Sequence, residues 1–301
     1  MKSEKQKREG IDLHLHTTLS DGKNTPEEVI RLAYEQGFRL IALSDHNTFA
    51  ITQKIRIGEG EALMEVIPAC EFSCSYYVPS MKENREIHVV GLFPGADGVD
   101  LEDFRELFAP IQEGKLLYIA AILKQLEELG IHVTMQEVME TRRKSSFIGR
   151  HQVADVMIQK GYVDTWEQAF DNYIGNFSPY YVPATRYVNY GEFRKVIQTI
   201  LDCYGFPILA HPFGYGITKE EIEKLIRDFA QIVQGRGGLE VYYEIYLNQP
   251  EKMTFLKEMQ EKYQLLPSAS SDRHRTDEPF ASGGTYPLYQ AMLGRCHLFR
   301  K

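Results

Sequence analysis

Two histidines one residue apart, His14 and His16, close a short run in which apolar and polar residues alternate. On an extended strand that spacing puts both imidazoles on one face, able to grip one ion or to hydrogen-bond each other inside a core. Asp21 follows in an Asp-Gly pair that also reads as a plain turn. Asp45 and His46 end the apolar run 40–44, where Asp45 could equally cap a helix. Glu71 sits between Cys70 and Phe72. An unpaired carboxylate in so apolar a setting is expensive, and a cation partner is the simplest explanation. His88 opens the run 87–93, and His211 ends the run 206–210. Asp272 and His274 repeat the i, i+2 spacing after the run 265–269. The mixture of imidazole and carboxylate suits Mn, Fe or Zn better than Ca or Mg. Six of the nine histidines fall in this set. His132 and His297 have no such company and read as surface or packing residues. Cys70 and Cys74 flank Glu71 and read as core thiols rather than ligands.

Positioning these residues requires strands that end together. Alternation and apolar runs predict strands at 11–16, 40–44, 66–70, 87–93, 206–210, 239–243 and 265–269. Helices are expected between most of them. Thr25 as N-cap, Pro26 behind it, Glu27 and Glu28 in the first turn and Gly37 beyond the end mark one over 26–36. Others are expected at 48–64, 190–204, 218–234 and 249–262. The stretch 100–141 is helical and amphipathic, 151–160 and 164–173 read as short helices, and 175–190 reads as a loop rich in tyrosine. Alternating strands and helices imply an α/β protein with a parallel sheet, and seven such strands suggest closure into a barrel whose mouth collects the strand-end residues. His88 lies at a strand start instead. If the stretches 66–75 and 87–93 pair antiparallel, it would come to lie beside Glu71. The expected organisation is a barrel from 1–99 and 190–301, with a helical insertion at 100–189. The charged residues at the N-terminus read as a solvated tail.

With 301 residues, 43% hydrophobic and 25% charged, the chain can bury a large core, which excludes extended disorder. A net charge of −8 excludes a surface built to coat nucleic acid or anionic membrane. Four scattered cysteines exclude a disulfide scaffold. No apolar leader and no run of about 18 apolar residues is visible. The expectation is a cytoplasmic protein without a membrane anchor or an obligate protein partner.

The motifs H-L-H-T-T-L-S-D-G (14–22), S-D-H-N-T (44–48), the lone Glu71, H-V-V-G-L (88–92), A-H-P (210–212) and S-D-R-H (271–274) resemble the polymerase and histidinol phosphatase (PHP) family in order and spacing. G-R-H (149–151) and Y-V-P (181–183) resemble the insertion of family members that act on nucleotides. The resemblance implies a distorted seven-stranded β/α barrel, the PHP fold, with two to three divalent ions. One would be held by His14, His16, Glu71 and Asp272, a second by Glu71, His88 and His211, and a third by Asp21, His46 and His274. Asp45 and Glu240 would orient ligands. Arg150 would clamp phosphate, and His151 would touch substrate, so the insertion would form part of the substrate site. Glu71, His211 and Asp272 would carry the catalysis.

The implied reaction is hydrolysis of a phosphate monoester by a hydroxide held between metals. The substrate would be a phosphorylated small molecule or a nucleotide, such as a nucleoside mono- or 3′,5′-bisphosphate. The alternatives are a histidinol-phosphate phosphatase, a 5′-3′ exonuclease taking the 5′ end of short RNA or DNA, and a non-catalytic regulatory module. The sequence departs from the family pattern in three places. Arg-His stands where Arg-Pro-His is usual, Arg273 stands in place of phenylalanine and is expected near the mouth, and residues 76–86 read as a longer hairpin loop.

Overall fold

The computed structural model describes residues 9–95, 98–141 and 148–297, with Cys296 and His297 by backbone alone, so His297 lies outside the described side chains. Seven strands form the main path of one sheet, in the order β1 (Gly10–Leu15), β2 (Phe38–Leu43), β4 (Met64–Val78), β5 (Glu83–Leu92), β7 (Phe206–Leu209), β8 (Gly238–Tyr243) and β9 (Leu266–Ser270). Two short strands, β3 (Ile55–Ile57) and β6 (Gly191–Glu192), pair with β4 off that path. The ends of the path meet where the chain runs on from β9. There the Asp272 amide donates to the His14 carbonyl at 3.0 Å and the His16 amide to the Arg273 carbonyl at 3.1 Å. The sheet is therefore a nearly closed barrel.

The expected parallel sheet is corrected to a mixed one. Strands β1, β2 and β4 run parallel, as do β7, β8 and β9, but β5 is antiparallel to both β4 and β7. Only residues 79–82 separate β4 from β5, far too few for a crossover helix. The antiparallel placement of His88 beside Glu71 is what the register shows, with Ser73 opposite His88 and Glu71 opposite Val90. The expected hairpin loop at 76–86 is mostly strand. Tyr76 and Val78 are buried and continue the apolar face of β4.

The helix expected at 48–64 does not form. Glycines 58 and 60 both adopt positive φ, and a Cβ on Gly58 would lie 2.6 Å from the Ala62 carbonyl oxygen. The chain instead makes β3 and a single 3-10 turn, Gly60–Ala62. The remaining helices lie close to the expected places: α1 (Pro26–Glu35), α2 (Arg105–Glu128), α3 (Met135–Thr141), α4 (Arg150–Gln159), α5 (Trp166–Ala169), α6 (Phe193–Asp202), α7 (Lys219–Val233) and α8 (Pro250–Lys262). Thr25 and Glu28 form the capping box of α1. A last helix, α9 (Tyr286–His297), carries no expectation from the sequence reading.

Apolar residues from β1, β2, β4, β5, β7 and β9 pack into one cluster, including Leu13, Leu40, Ile67, Val90, Ile208 and Ala269. Drawn from all around the sheet, it holds the barrel together. A second cluster lies between the sheet and α6, α7 and α8. Residues between Ile111 and Tyr190 have a core of their own, with Ile119, Val138, Val153, Met157 and Trp166. Phe104 and Leu107, just before it, pack instead with Phe72 and Phe193 on the barrel side. Among the described residues no helix is long and apolar enough to cross a membrane.

Candidate metal centre

The nine side chains singled out as ligands converge at one end of the barrel. His14 lies within a register shift of β1 and His16 just beyond the strand, and they point their Nε2 atoms toward each other, 3.1 Å apart. Two imidazole nitrogens at that distance can share at most one proton, an arrangement that suits a pair facing a common cation. Both Nε2 atoms are 3.3 Å from Glu71 Oε2, and they stand 3.4 Å and 3.0 Å from Asp272 Oδ1. His14, His16, Glu71 and Asp272 thus offer four ligand atoms within 4.8 Å of one another. His46, Glu71 and His88 form a second such group, and His16, Asp21, His46 and His274 a third. His211 Nε2 lies 2.9 Å from Glu71 Oε1, on the oxygen that also lies 2.7 Å from His88 Nδ1. Each pair of groups shares one residue, His16, His46 or Glu71, and Glu71 is fully buried.

These contacts test whether the set suits cations. Four of the buried atoms concerned, Asp21 Oδ1, Glu71 Oε2, His88 Nδ1 and His274 Nε2, make no hydrogen bond among the described residues. His88 Nδ1 is close to Glu71 yet not bonded to it, because lone pairs that converge on a third point do not aim at each other. Buried polar atoms are nearly always satisfied, and ions held by the three groups would satisfy all four. The donor set fits divalent transition ions.

Without ions, the charges compensate one another. Burial opposes ionisation of Glu71, but His88, His46 and His14 outweigh it and hold the carboxylate well below its usual range. Asp21 and Asp272 are held low against burial in the same way, the first mainly by His274 and His46 and the second mainly by His14 and His16. Burial would lower the imidazoles, yet the facing carboxylates raise His14, push His16 up to about 10 and His88 up to about 9. For His46 burial prevails over Glu71 and Asp21, and its pKa falls.

Residues around the cluster aim the ligands. Glu240 Oε1 takes His14 Nδ1 at 2.7 Å and its Oε2 takes the His211 amide at 2.7 Å. Fixing the proton on Nδ1 leaves His14 Nε2 free to face the cluster. Asp45 caps no helix. Its carboxylate accepts from the Thr17 and Ser20 amides and from both their hydroxyls, which ties down the loop that carries Asp21. Tyr243 donates to Asp272 Oδ2 at 2.9 Å, leaving Oδ1 toward the histidines. His211 and Asp272 take positive φ, 24° and 55°, a strain that re-aims strand-end side chains.

A cleft of about 160 Å³ opens beside the cluster, lined by Glu71, His88, His211, Asp272 and His274 from the barrel and by Arg150, His151, Asn176 and Tyr181 from the helical part. Arg150 anchors Nη1 on the Ile174 carbonyl and on Asn176 Oδ1 at 2.8 Å. His151 Nδ1 is 2.7 Å from Asp21 Oδ2, and burial holds its pKa down. Two further lining residues, Arg85 and Glu86, carry no sequence signal, because residues 76–86 read as a loop. Glu86 lies 3.4 Å from His88 Nε2 and braces that ring from behind. Arg273 is not at the mouth. It is buried against Phe280 and donates to the Thr276 and Glu278 carbonyls and to Asn24. His132 is exposed and pairs with Glu127.

Comparison with known proteins gives the family. The chain is 30% identical over 230 residues to a 5′-3′ exoribonuclease of Haemophilus influenzae, covering 76% of this chain and 78% of that protein. It is 27% identical over 233 residues to a 3′,5′-nucleoside bisphosphate phosphatase of Chromobacterium violaceum, covering 77% and 76%. Its fold matches the structure of an amidohydrolase from Chromobacterium violaceum with bound sulfate, with a TM-score of 0.75 at 24% identity, over 95% of this chain and 96% of that one. Residues 12–244 match the PHP domain, and the chain belongs to that family.

Proposed function

We propose that the chain hydrolyses a phosphate monoester of a nucleotide, a nucleoside mono- or 3′,5′-bisphosphate, with divalent ions at the strand-end cluster. That it is a hydrolase of phosphoesters follows from the PHP domain and from the relatives, one a named phosphatase and one a named exoribonuclease. The observation that carries the finer reading is the meeting of a cation-seeking cluster and a half-buried guanidinium, Arg150, in one small cleft.

In this reading His14, His16, Glu71 and Asp272 hold one ion. Glu71 and His88 hold a second with His211, and with His46 near enough to share it. Asp21, His46 and His274 hold a third, with His16 beside them. Bound ions would supply Lewis-acid activation of water and charge neutralisation at phosphoryl oxygens. Arg150, with Nη1 already anchored, offers its other donors to a phosphate, the bidentate geometry that suits guanidinium best. His151 is neutral at pH 7 and keeps its proton on the Asp21 side. It is therefore suited to accept a hydrogen bond from substrate rather than to protonate a leaving oxygen, which leaves water for that step. The helical part, 100–189, contributes Arg150, His151, Asn176 and Tyr181 and in this reading forms one wall of the substrate site.

A second reading, a 5′-3′ exonuclease on short RNA, is favoured by the relative from Haemophilus influenzae. The same cleft could take a chain end while the acidic surface stays clear of the rest. The test is release of inorganic phosphate, or of mononucleotides, from a panel of nucleoside bisphosphates, monophosphates, histidinol phosphate and short 5′-phosphorylated RNA with Mn²⁺, Fe²⁺ or Zn²⁺. Asp272→Ala is expected to abolish turnover. Undiminished hydrolysis by that variant would refute the assignment of the site.

A further inference from the structure

Arg85 sits on β5 opposite Tyr76, three residues before His88. Three residues of strand span about 10 Å. Its guanidinium lies over the Tyr181 ring, 4.6 Å from the centroid, and the residue lines the same cleft as Arg150 and the metal cluster. The residue is 9% exposed. Its Nε donates to Met81 Sδ at 3.0 Å and lies 3.5 Å from Glu83 Oε1, which belongs to a carboxylate that also pairs with Arg186. Those contacts use one nitrogen of three. Nη1 is wholly buried and has no hydrogen-bond partner among the described residues.

An orphaned guanidinium nitrogen inside a protein costs free energy that folding must offset, and its chemistry calls for an acceptor with negative charge. Carboxylates are at hand but directed elsewhere. Glu83 meets the Nε edge, and Glu86 faces His88 and Lys115. Among the described residues no other acceptor is directed at Nη1, and the cleft that Arg85 lines is where one can enter. Arg150 serves the cleft from the helical wall, and the phosphate under attack must sit where the cluster's ligand atoms converge. Arg85 stands farther along β5, stacked on Tyr181.

We propose that Arg85 is a substrate-binding residue, taking the oxygens of a second phosphate group distinct from the one that is hydrolysed, with Tyr181 holding the guanidinium plane. This rests on the reading of the cleft as a phosphoesterase site. It makes the preferred substrate a nucleotide with two phosphate groups. A free 3′,5′-bisphosphate and the phosphorylated 5′ end of RNA share that chemistry. A monophosphate would leave the Arg85 nitrogen unpaired, and sites that leave a buried polar group unpaired discriminate strongly.

The test compares the metal-loaded wild type with Arg85→Gln and Arg85→Lys on three substrates: adenosine 3′,5′-bisphosphate, a 5′-phosphorylated RNA tetranucleotide and adenosine 5′-monophosphate. Arg85→Gln is expected to lower kcat/KM for at least one doubly phosphorylated substrate ten-fold or more relative to the monophosphate, mainly through KM, with Arg85→Lys in between. The arm that falls identifies the source of the second phosphate. Equal losses on all three substrates, or none, would overturn the proposal and make Arg85 a strut between the hairpin and Tyr181. Calorimetric binding of adenosine 3′,5′-bisphosphate and adenosine 5′-monophosphate to the protein as purified reads the same contrast without turnover. If the wild type hydrolyses none of the panel, the phosphoesterase reading fails, while loss of the binding contrast in Arg85→Gln still tests Arg85.

Discussion

Loading a metal-stripped protein with Mn²⁺ should release two to three protons per chain at pH 7.5. The carboxylates release none, because Asp21, Glu71 and Asp272 are already ionised, held well below the usual range by the histidines against burial. The imidazoles are the source. Burial disfavours their charge, but the surrounding carboxylates push His16 up to about 10 and His88 up to about 9, and they raise His14 as well. A ligating imidazole must be neutral, so the His14–His16 pair gives up the one proton between its facing Nε2 atoms, His88 gives up another, and His274, raised by Asp21 and Asp272 against burial, contributes toward a third. At about 1.4 kcal/mol per pKa unit, deprotonating His16 at pH 7.5 costs about 3 kcal/mol and His88 about 2 kcal/mol. Apparent affinity should therefore climb steeply with pH through the neutral range and flatten toward pH 9 to 10. Titration calorimetry in buffers of low and high ionisation enthalpy counts the protons from the slope of heat against buffer enthalpy. Release of less than one proton would refute the reasoning, since it would mean that the imidazoles of the stripped protein are already neutral.

The same shifts govern the stripped protein's own stability. For histidines raised above their ordinary 6.5, the stabilisation is fully present below that pH and is lost as pH rises through about 9 and 10, so the melting temperature should fall between pH 7 and 10, and metal should abolish the fall. Glu240→Gln removes the charge that fixes His14 Nδ1, and metal affinity measured by chelator competition should drop 10- to 100-fold with the fold intact by circular dichroism. Gly114 lies against backbone, its Cβ position 2.6 Å from Val188 Cα and 2.7 Å from the Tyr187 carbonyl. Gly114→Ala should cost about 1–3 kcal/mol in denaturant unfolding, and an unchanged midpoint would show that α2 can shift away.

Much of the site was legible in the chain because its chemistry is compressed into short spacings. His14 with His16, Asp45 with His46 and Asp272 with His274 each sit within two or three residues at the end of an apolar run, where strand periodicity decides the direction of the side chains. Glu71 was legible from its apolar neighbours alone. Arg85 and Glu86 were not, since their only signal is position on a strand that the polar composition of 79–86 disguised. The helix expected at 48–64 failed for a related reason: two glycines in left-handed conformation override a weak helical pattern.

By itself, the sequence determined which residue types stand at the strand ends, and hence that the chain carries a set of ligands for divalent cations. The tertiary structure alone decided how they combine. Reversal of β5 through a four-residue turn sets His88 and Val90 opposite Ser73 and Glu71, and closure of β1 onto the segment after β9 brings Asp272 to His14 and His16. Which atoms face a common point, which carboxylate holds which imidazole, and which guanidinium is left without an acceptor all depend on contacts across scores of residues. Local periodicity carries no information about contacts at such separations.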